Sequence, residues 1–282
     1  MNKVKQSFTL VEILVVIVII GILSSFIFFT INDSVEKASI AKSKMFSESI
    51  RNNLLLNLVG EWKLDGNTTD SWGNNNGNNN GGTLITDESQ CVSGGCISFD
   101  GSNDFIAILN NSTIDFGTGD ISISFFVKVD SNSLVSSIMD KGGDIGRFWV
   151  VYYESTDTIW TNCYFGTGKD FWLEGNNAVS GKWHHVVATF DKDGFEKLYI
   201  DGVLDNQIDI SSAALDSWNS TNNLLFSSGT YNFFKGFIDE IQLYNATLPE
   251  TAIKQNYLSG LNNLYAKGLI TELEYDEKIS EL

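Results

Sequence analysis

Proline is almost absent from this chain: among 282 residues Pro249 stands alone, so nothing before it forces a helix to break. Cysteine numbers three, and the two histidines, His184 and His185, are neighbours. Together they are too few and too oddly spaced for a zinc site. Basic residues are also scarce, with 18 Lys plus Arg against 35 Asp plus Glu and a formal charge of -17. That balance argues against a nucleic-acid backbone as partner. Phosphate-binding, serine-nucleophile and dinucleotide motifs are missing. Tryptophan and tyrosine are missing from residues 1–58, whereas seven tryptophans and nine tyrosines follow from Trp62 onward. Two regions are expected: an amino-terminal helical segment, then a body rich in glycine, asparagine, serine and aromatics.

What is present at the start is a long apolar run. From Ile13 to Phe29 only Gly21, Ser24 and Ser25 interrupt it, and no residue is charged. A helix from Thr9 to Phe29 rises roughly 30 Å, the thickness of bilayer hydrocarbon. A looser stripe of Val35, Ala38, Ile40, Ala41, Met45, Ile50, Leu54 and Leu58 continues the helical pattern. The simplest expectation is one helix over 8–58, apolar all round over 8–29 and amphipathic beyond.

The stretch KQSFTLVEILVVIVIIGILSS resembles the amino-terminal signature of type IV prepilins and of the related pseudopilins of type II secretion. The resemblance implies a leader of residues 1–7, cleavage between Ser7 and Phe8 by a prepilin peptidase, and methylation of the new amino group on Phe8. It also makes Glu12 the assembly residue: a carboxylate at the edge of hydrocarbon is costly unless paired, and the ammonium of a neighbouring subunit's Phe8 would pair it. Lys3 and Lys5 suit retention of the leader in the cytoplasm. Two positions depart from the family pattern: Ser7 stands where glycine or alanine is usual, and Phe29 where many pilins have proline.

Beyond residue 60 the texture becomes short alternating strands punctuated by Gly, Asn, Asp and Ser. In DISISFFVKVD, Ile121, Ile123, Phe125, Val127 and Val129 point one way and Ser122, Ser124 and Lys128 the other. KWHHVVATFDKDGFEKLYIDG reads as two strands joined at DKDG, with His184 and His185 on opposite faces as framework residues. The tract NNNGNNNGG at 74–82 reads as a surface turn, and LPETAIKQNYLSGLNNLYAKGLI as a helix after Pro249 followed by an exposed acidic tail. Many short strands of this spacing predict an antiparallel sandwich. Cys91 and Cys96 frame CVSGGC, whose span and central glycines bring the two within disulfide reach; Cys163 is left as a buried free thiol.

The ordered segments from WKLDGNTTDSWGNNNG through GGCISFDGSNDFIAI, DISISFFVKV and GKWHHVVATFDKDGFEKLYIDGV to KGFIDEIQLYNATLPETAI resemble the LamG-like branch of the concanavalin A-like jelly rolls. The fold class expected is therefore α+β: a long amino-terminal helix, an all-β jelly roll over 60–248, and a carboxy-terminal helix and tail over 249–282. The resemblance implies two curved sheets of six or seven strands. It also places Asp65, Asp70, Asp100 and Asp239 as candidate calcium ligands, with Asp239 sharing a face with Phe237, Ile241 and Leu243. Trp149, Tyr153, Trp160 and Trp172 are candidates for a glycan groove, against packing of a large sandwich. Hydrolysis needs two facing carboxyl groups, and Asp239 and Glu240 are expected on opposite faces, so no enzymatic activity is expected. The functional expectation is a structural subunit of an extracellular type IV pilus or pilus-like filament that displays the LamG-like domain, a minor pilin with an adhesive or glycan-binding role, partnered by other pilin subunits and by a glycan or surface protein, and held in the membrane as a single-pass precursor. The alternatives are a pseudopilin of a type II secretion system and a carbohydrate-binding adhesin anchored by one helix.

Overall fold

The computed structural model describes residues 10–11, 14–21, 55–130, 134–142, 147–153, 156–166, 168–179, 181–218, 220–228 and 231–282. The chain divides into two compact units, Met1–Asn52 and Asn53–Leu282. In the first, every described residue from 10 to 21 is helical (α1, residues 14–21). Its side chains are exposed, from 83% at Leu10 to 48% at Val15. Among the described residues no helix is long and apolar enough to cross a membrane. The expectations placed on Ser7, Phe8, Glu12 and residues 22–54 lie outside the described residues.

The second unit is a two-sheet antiparallel sandwich. Its strands are β1 (Leu58–Trp62), β2 (Gly77–Asn80), β3 (Thr83–Ile85), β4 (Cys96–Asp100), β5 (Phe105–Ile108), β6 (Ile121–Val129), β7 (Ser136–Lys141) and β8 (Arg147–Tyr153). Then follow β9 (Thr158–Tyr164), β10 (Asp170–Ala178), β11 (Trp183–Phe190), β12 (Phe195–Ile200), β13 (Val203–Asp209), β14 (Leu224–Ser228) and β15 (Lys235–Tyr244). One sheet has eight strands in the order β13-β12-β11-β6-β15-β4-β3, with β1 also paired to β15; the other has seven, β10-β9-β8-β7-β14-β5-β2. The body thus starts at Leu58, two residues before the expected boundary, because Leu58 pairs with Tyr244 and buries its side chain.

Strand alternation fills the core as expected: Ile121, Ile123, Phe125, Val127 and Val129 are fully buried against Phe148, Val150, Ile159 and Phe226. The β12–β13 hairpin turns at Asp201 and Gly202, both at positive φ (51° and 80°), the two-residue geometry that matches strand twist. The Asn-rich tract is not merely a turn. Gly77–Asn80 forms an edge strand on β5, where a side chain at position 77 would meet Ile106 at 2.5 Å.

The outer face of the eight-stranded sheet is buried too, under α2 (Glu250–Ala266), which starts after Pro249. Phe126, Trp183, Tyr257, Leu261 and Leu264 form this second layer with the Cys91–Cys96 loop. Gly260 lets helix and sheet approach: a Cβ there would sit 2.1 Å from the Phe126 ring. The expected exposed tail is instead a second helix, α3 (Glu272–Ser280), started by a Thr271–Glu274 capping box. Tyr275 and Leu282 pack on the second layer, and Lys278 reaches Asp201, so the tail docks.

A bulge in β15 corrects another expectation. Register shifts between Asp239 and Gln242, with Glu240 at φ 50°, so Ile238, Ile241 and Leu243 enter the main core while Asp239 lies on the α2 side. Asp239 therefore does not share a face with Ile241 and Leu243.

Candidate functional site

The candidate residues fall in three places. Trp160 and Trp172 stand half-buried on β9 and β10 of the seven-stranded sheet, on the side opposite Ile159, Cys163 and Leu173, which enter the core. Trp160 Nε1 donates to Thr158 Oγ1 at 3.0 Å, and Arg147 lies 4.6 Å over the Tyr164 ring. Trp149 and Tyr153 belong to β8, Trp149 opposite Asn162 in register; their side chains lie outside the described residues.

The four aspartates do not converge on one point as a ligand set, and among the described residues no cluster of three or more acid, histidine or cysteine side chains is arranged to hold a metal. Asp70 is consumed by its own loop: Oδ1 accepts the backbone N–H groups of Glu61, Trp72 and Gly73, and Oδ2 that of Asn75, all at 2.9–3.0 Å. Burial opposes ionisation there, but those four donors together hold the carboxyl below its ordinary value. Asp100 Oδ1 caps Ser102 N at 2.8 Å, and Asp65 Oδ1 accepts Gly95 N at 2.6 Å in the disulfide loop. Cys91 and Cys96 are bonded, with Cα atoms 5.5 Å apart.

Asp239 differs. It is fully buried; Oδ2 accepts Ser93 N at 3.0 Å, while Oδ1 has no hydrogen-bond partner among the described residues. Burial with no counter-cation pushes its carboxyl up to about 9. Glu240, raised to about 6 chiefly by burial and then by Glu61, adds a second acid beside it. The expectation that the pair points to opposite faces fails because the bulge turns both towards the Cys91–Cys96 loop, where Glu240 also meets Ser93.

Next to this acidic pair lies a small chamber of about 110 Å³ between α2 and the sheet, lined by Ser93, Ser124, His185, Glu240, Asn256 and Asn263 among others. Ser124 Oγ and His185 Nε2 share a hydrogen bond of 2.9 Å. Burial lowers His185 to about 4, against the opposing pull of Asp201, so the ring is neutral. With Ser124 2% and His185 1% exposed, and Nδ1 without a partner among the described residues, the pair lacks both substrate access and the orienting acid of a nucleophile–base system. His184 faces the other way, Nδ1 3.0 Å from Asp201 Oδ2. Both histidines are framework residues, and Cys163 is a buried thiol donating to Glu196 at 3.2 Å.

The chamber escaped the sequence reading because it depends on a bulge and a docked helix that no short motif encodes. Comparisons with known proteins agree with the geometry. Residues 2–28 match the prokaryotic N-terminal methylation motif. A comparison with curated proteins found no match. Among solved structures, the binding domain of Paraclostridial Mosquitocidal Protein 1 is similar at 18% identity and a TM-score of 0.62, covering 74% of this chain and 53% of that one. The ligand binding domain of botulinum neurotoxin serotype D, solved with N-acetylneuraminic acid, is similar at 18% identity and 0.61, covering 75% and 53%. The chain spans about half the length of these structures, and the likeness is one of fold. Residues 100–254, more than half of the chain, match the profile of one family: the chain belongs to the concanavalin A-like lectin/glucanases superfamily.

Proposed function

We propose that this chain is a subunit of a type IV pilus-like filament, its amino-terminal helix bundled in the shaft and its jelly roll displayed outside as an adhesive, glycan-binding domain. One observation carries the reading: within the matched methylation motif, the described helix presents Leu10, Val11 and Leu14 through Ile20 uncovered. Such a surface needs an apolar surrounding, first lipid and then the same helix of other copies. In this reading the prepilin peptidase cuts before Phe8, and the Phe8 ammonium of one copy pairs with Glu12 of another. Adhesion rests on the binding-domain fold, since the neurotoxin domains of this fold are described with a sialic acid and with synaptotagmin. A lectin-like body on a pilin-like stem supports a non-catalytic role.

Calcium is the cofactor we propose, at Asp239. The residues fit it: a buried carboxylate oxygen without a partner, next to a second acid, suits an oxygen-seeking dication. Asp239 and Glu240 would hold it, and the ion would supply the missing positive charge.

Cryo-electron microscopy of filaments sheared from native cells, with mass spectrometry of their subunits, tests the filament reading. Chains beginning at methylated Phe8 and repeated along the shaft are expected. Their absence from filaments, with the protein retained in the envelope, would overturn it in favour of the secretion pseudopilus.

A further inference from the structure

A larger opening than the α2 chamber lies at one end of the sandwich, between the loop that follows β1 and the β5–β6 loop. It measures about 830 Å³. Trp72 forms one wall, 47% exposed although it is among the largest apolar side chains of the body. Asn74 stands beside it, while Asn111, Thr113, Asp115 and Asp120 line the opposite wall.

Both walls are held stiff from behind. The Trp72 loop is clamped by Asp70, whose carboxylate takes four backbone N–H groups including that of Trp72 itself. Asn75, 4% exposed, ties the walls together: its Oδ1 accepts from Asn111 Nδ2 at 3.0 Å and Thr113 Oγ1 at 2.7 Å, its Nδ2 donates to Val59 O, and its carbonyl takes the Trp62 indole N–H. Under the far wall, the buried Lys141 donates to Asn110 Oδ1 and Asn222 O at 2.8 Å. Asp115 lies against the same lysine, yet its Oδ1, 3.9 Å from Nζ, is shielded and takes no hydrogen bond among the described residues. A prearranged cleft therefore offers an exposed indole face, with amides, hydroxyls and the acids Asp115 and Asp120 around it.

We propose that this cleft is the glycan site and that its ligand class is a neutral saccharide. A pyranose ring has an apolar face that suits the indole and hydroxyls that suit amides and carboxylates. Charge selects the class: Asp115 and Asp120 line the cleft and, among the described residues, no Lys, Arg or His does, while Lys141 is buried beneath the wall and engaged by Asp115, Asn110 and Asn222, so an anionic sugar would meet acids and no cation within its reach. The aromatic face of the seven-stranded sheet is the lesser candidate, because the tip of Trp160 is already satisfied by Thr158 and Tyr164 is covered by Arg147.

The inference rests on the proposed glycan-binding role, and its test separates the two. The full chain in a zwitterionic detergent, free of sugar headgroups, is applied to an array holding neutral glucan, mannan and galactan oligomers beside sialylated glycans. The best neutral probe is then titrated against tryptophan fluorescence. Neutral binding is expected, weakened about tenfold or more in Trp72→Leu, retained in Trp72→Phe and unchanged in Trp172→Ala, with melting temperatures checked for each. Capture of sialylated glycans alone overturns the neutral class. Neutral binding that survives Trp72→Leu but is lost in Trp172→Ala overturns the site and leaves the glycan role standing. Failure of every probe overturns both.

Discussion

The helix α1 and the strand β6 are similarly apolar runs with opposite fates. Val15 to Ile20 stand about half exposed, whereas Ile121, Ile123, Phe125, Val127 and Val129 are fully buried. The strand finds its partner within the chain, in the facing sheet. Two covers exist for β6, the other sheet on one side and α2 on the other, so even Ser122 and Ser124 are buried. For the described part of the helix, no such cover comes from the chain. Apolar side chains left this way look outward for cover, which is what the filament proposed above would give them, whereas the body finds its cover within itself.

The sharpest way to break this contrast is to alter assembly alone. Glu12→Ala should abolish incorporation into filaments, measured by immunoblotting of sheared material, while the precursor stays in the membrane. The body should melt unchanged; normal incorporation would refute the charge-pair account. The converse is Phe125→Ala, expected to cost about 3–5 kcal/mol of body stability through lost burial and a cavity. Ile17→Ala should leave that stability unaltered. Denaturant unfolding followed by tryptophan fluorescence reads this cleanly, because all seven tryptophans lie from Trp62 onward.

The same contrast marks how far the sequence could be read. Where one local pattern decides the outcome, it was legible: the alternation of β6, the DKDG hairpin, the Cys91–Cys96 pair and the start of α2 after Pro249 are all in place. Where a second element decides, it was not. Asn78 to Asn80 have poor strand propensity, and pairing with β5 makes them a strand nonetheless. The face of Asp239 is set by a residue at φ 50°, which periodicity cannot register. Acidic residues 272–281 read as a solvated tail, but Tyr275, Leu282 and Lys278 dock it. Trp72 stands just before the tract that reads as a surface turn, and the wall it forms is tied to the opposite one by Asn75, which bridges to Asn111 and Thr113.

Within the body, the disulfide is expected to contribute next. Closing so short a loop limits the entropic gain to about 2 kcal/mol, so Cys91→Ser with Cys96→Ser should lower stability by roughly that amount. Loss of the loop should also release Ser93 and Gly95 from Asp239 and Asp65. A drop much larger than this would mean that the acids, rather than the bond, depend on the loop.

Acidity gives a further test. Asp239, Glu196 and Glu240 are raised in the folded chain to about 9, 7 and 6, in each case chiefly by burial, from ordinary values of 3.8 and 4.5. Their contribution is thus fully present below about pH 4 and is lost as pH rises towards the folded values. Asp201 runs the opposite way: burial is outweighed by His184 and Lys278, which hold it at about 2, so its contribution is present above 3.8 and lost as pH falls through 2. In chelator the melting temperature should climb as pH is lowered from about 8 to 5 and fall again below about 3.5. Calcium at Asp239 needs the ionised carboxylate, so millimolar calcium should raise the melting temperature most at the alkaline end, and Asp239→Asn should remove that response. A calcium-independent profile would remove the ion from the account.

The smallest effect separates charge from packing in the tail. Lys278 and His184 both reach Asp201, and the Lys278 pair is only partly shielded, with Lys278 23% and Asp201 13% exposed. Lys278→Met keeps most of the aliphatic stem, so its loss should stay below about 1 kcal/mol at neutral pH. The acid limb is the informative part. With Lys278 gone, Asp201 should take up its proton at higher pH, and the fall in melting temperature should begin earlier. An acid limb that does not move would mean that His184 and the His185 backbone N–H alone keep Asp201 ionised. In that case α3 is held by Tyr275 and Leu282 against the second layer, the same apolar means that hold every strand of the body and that α1 does not find within its described surroundings.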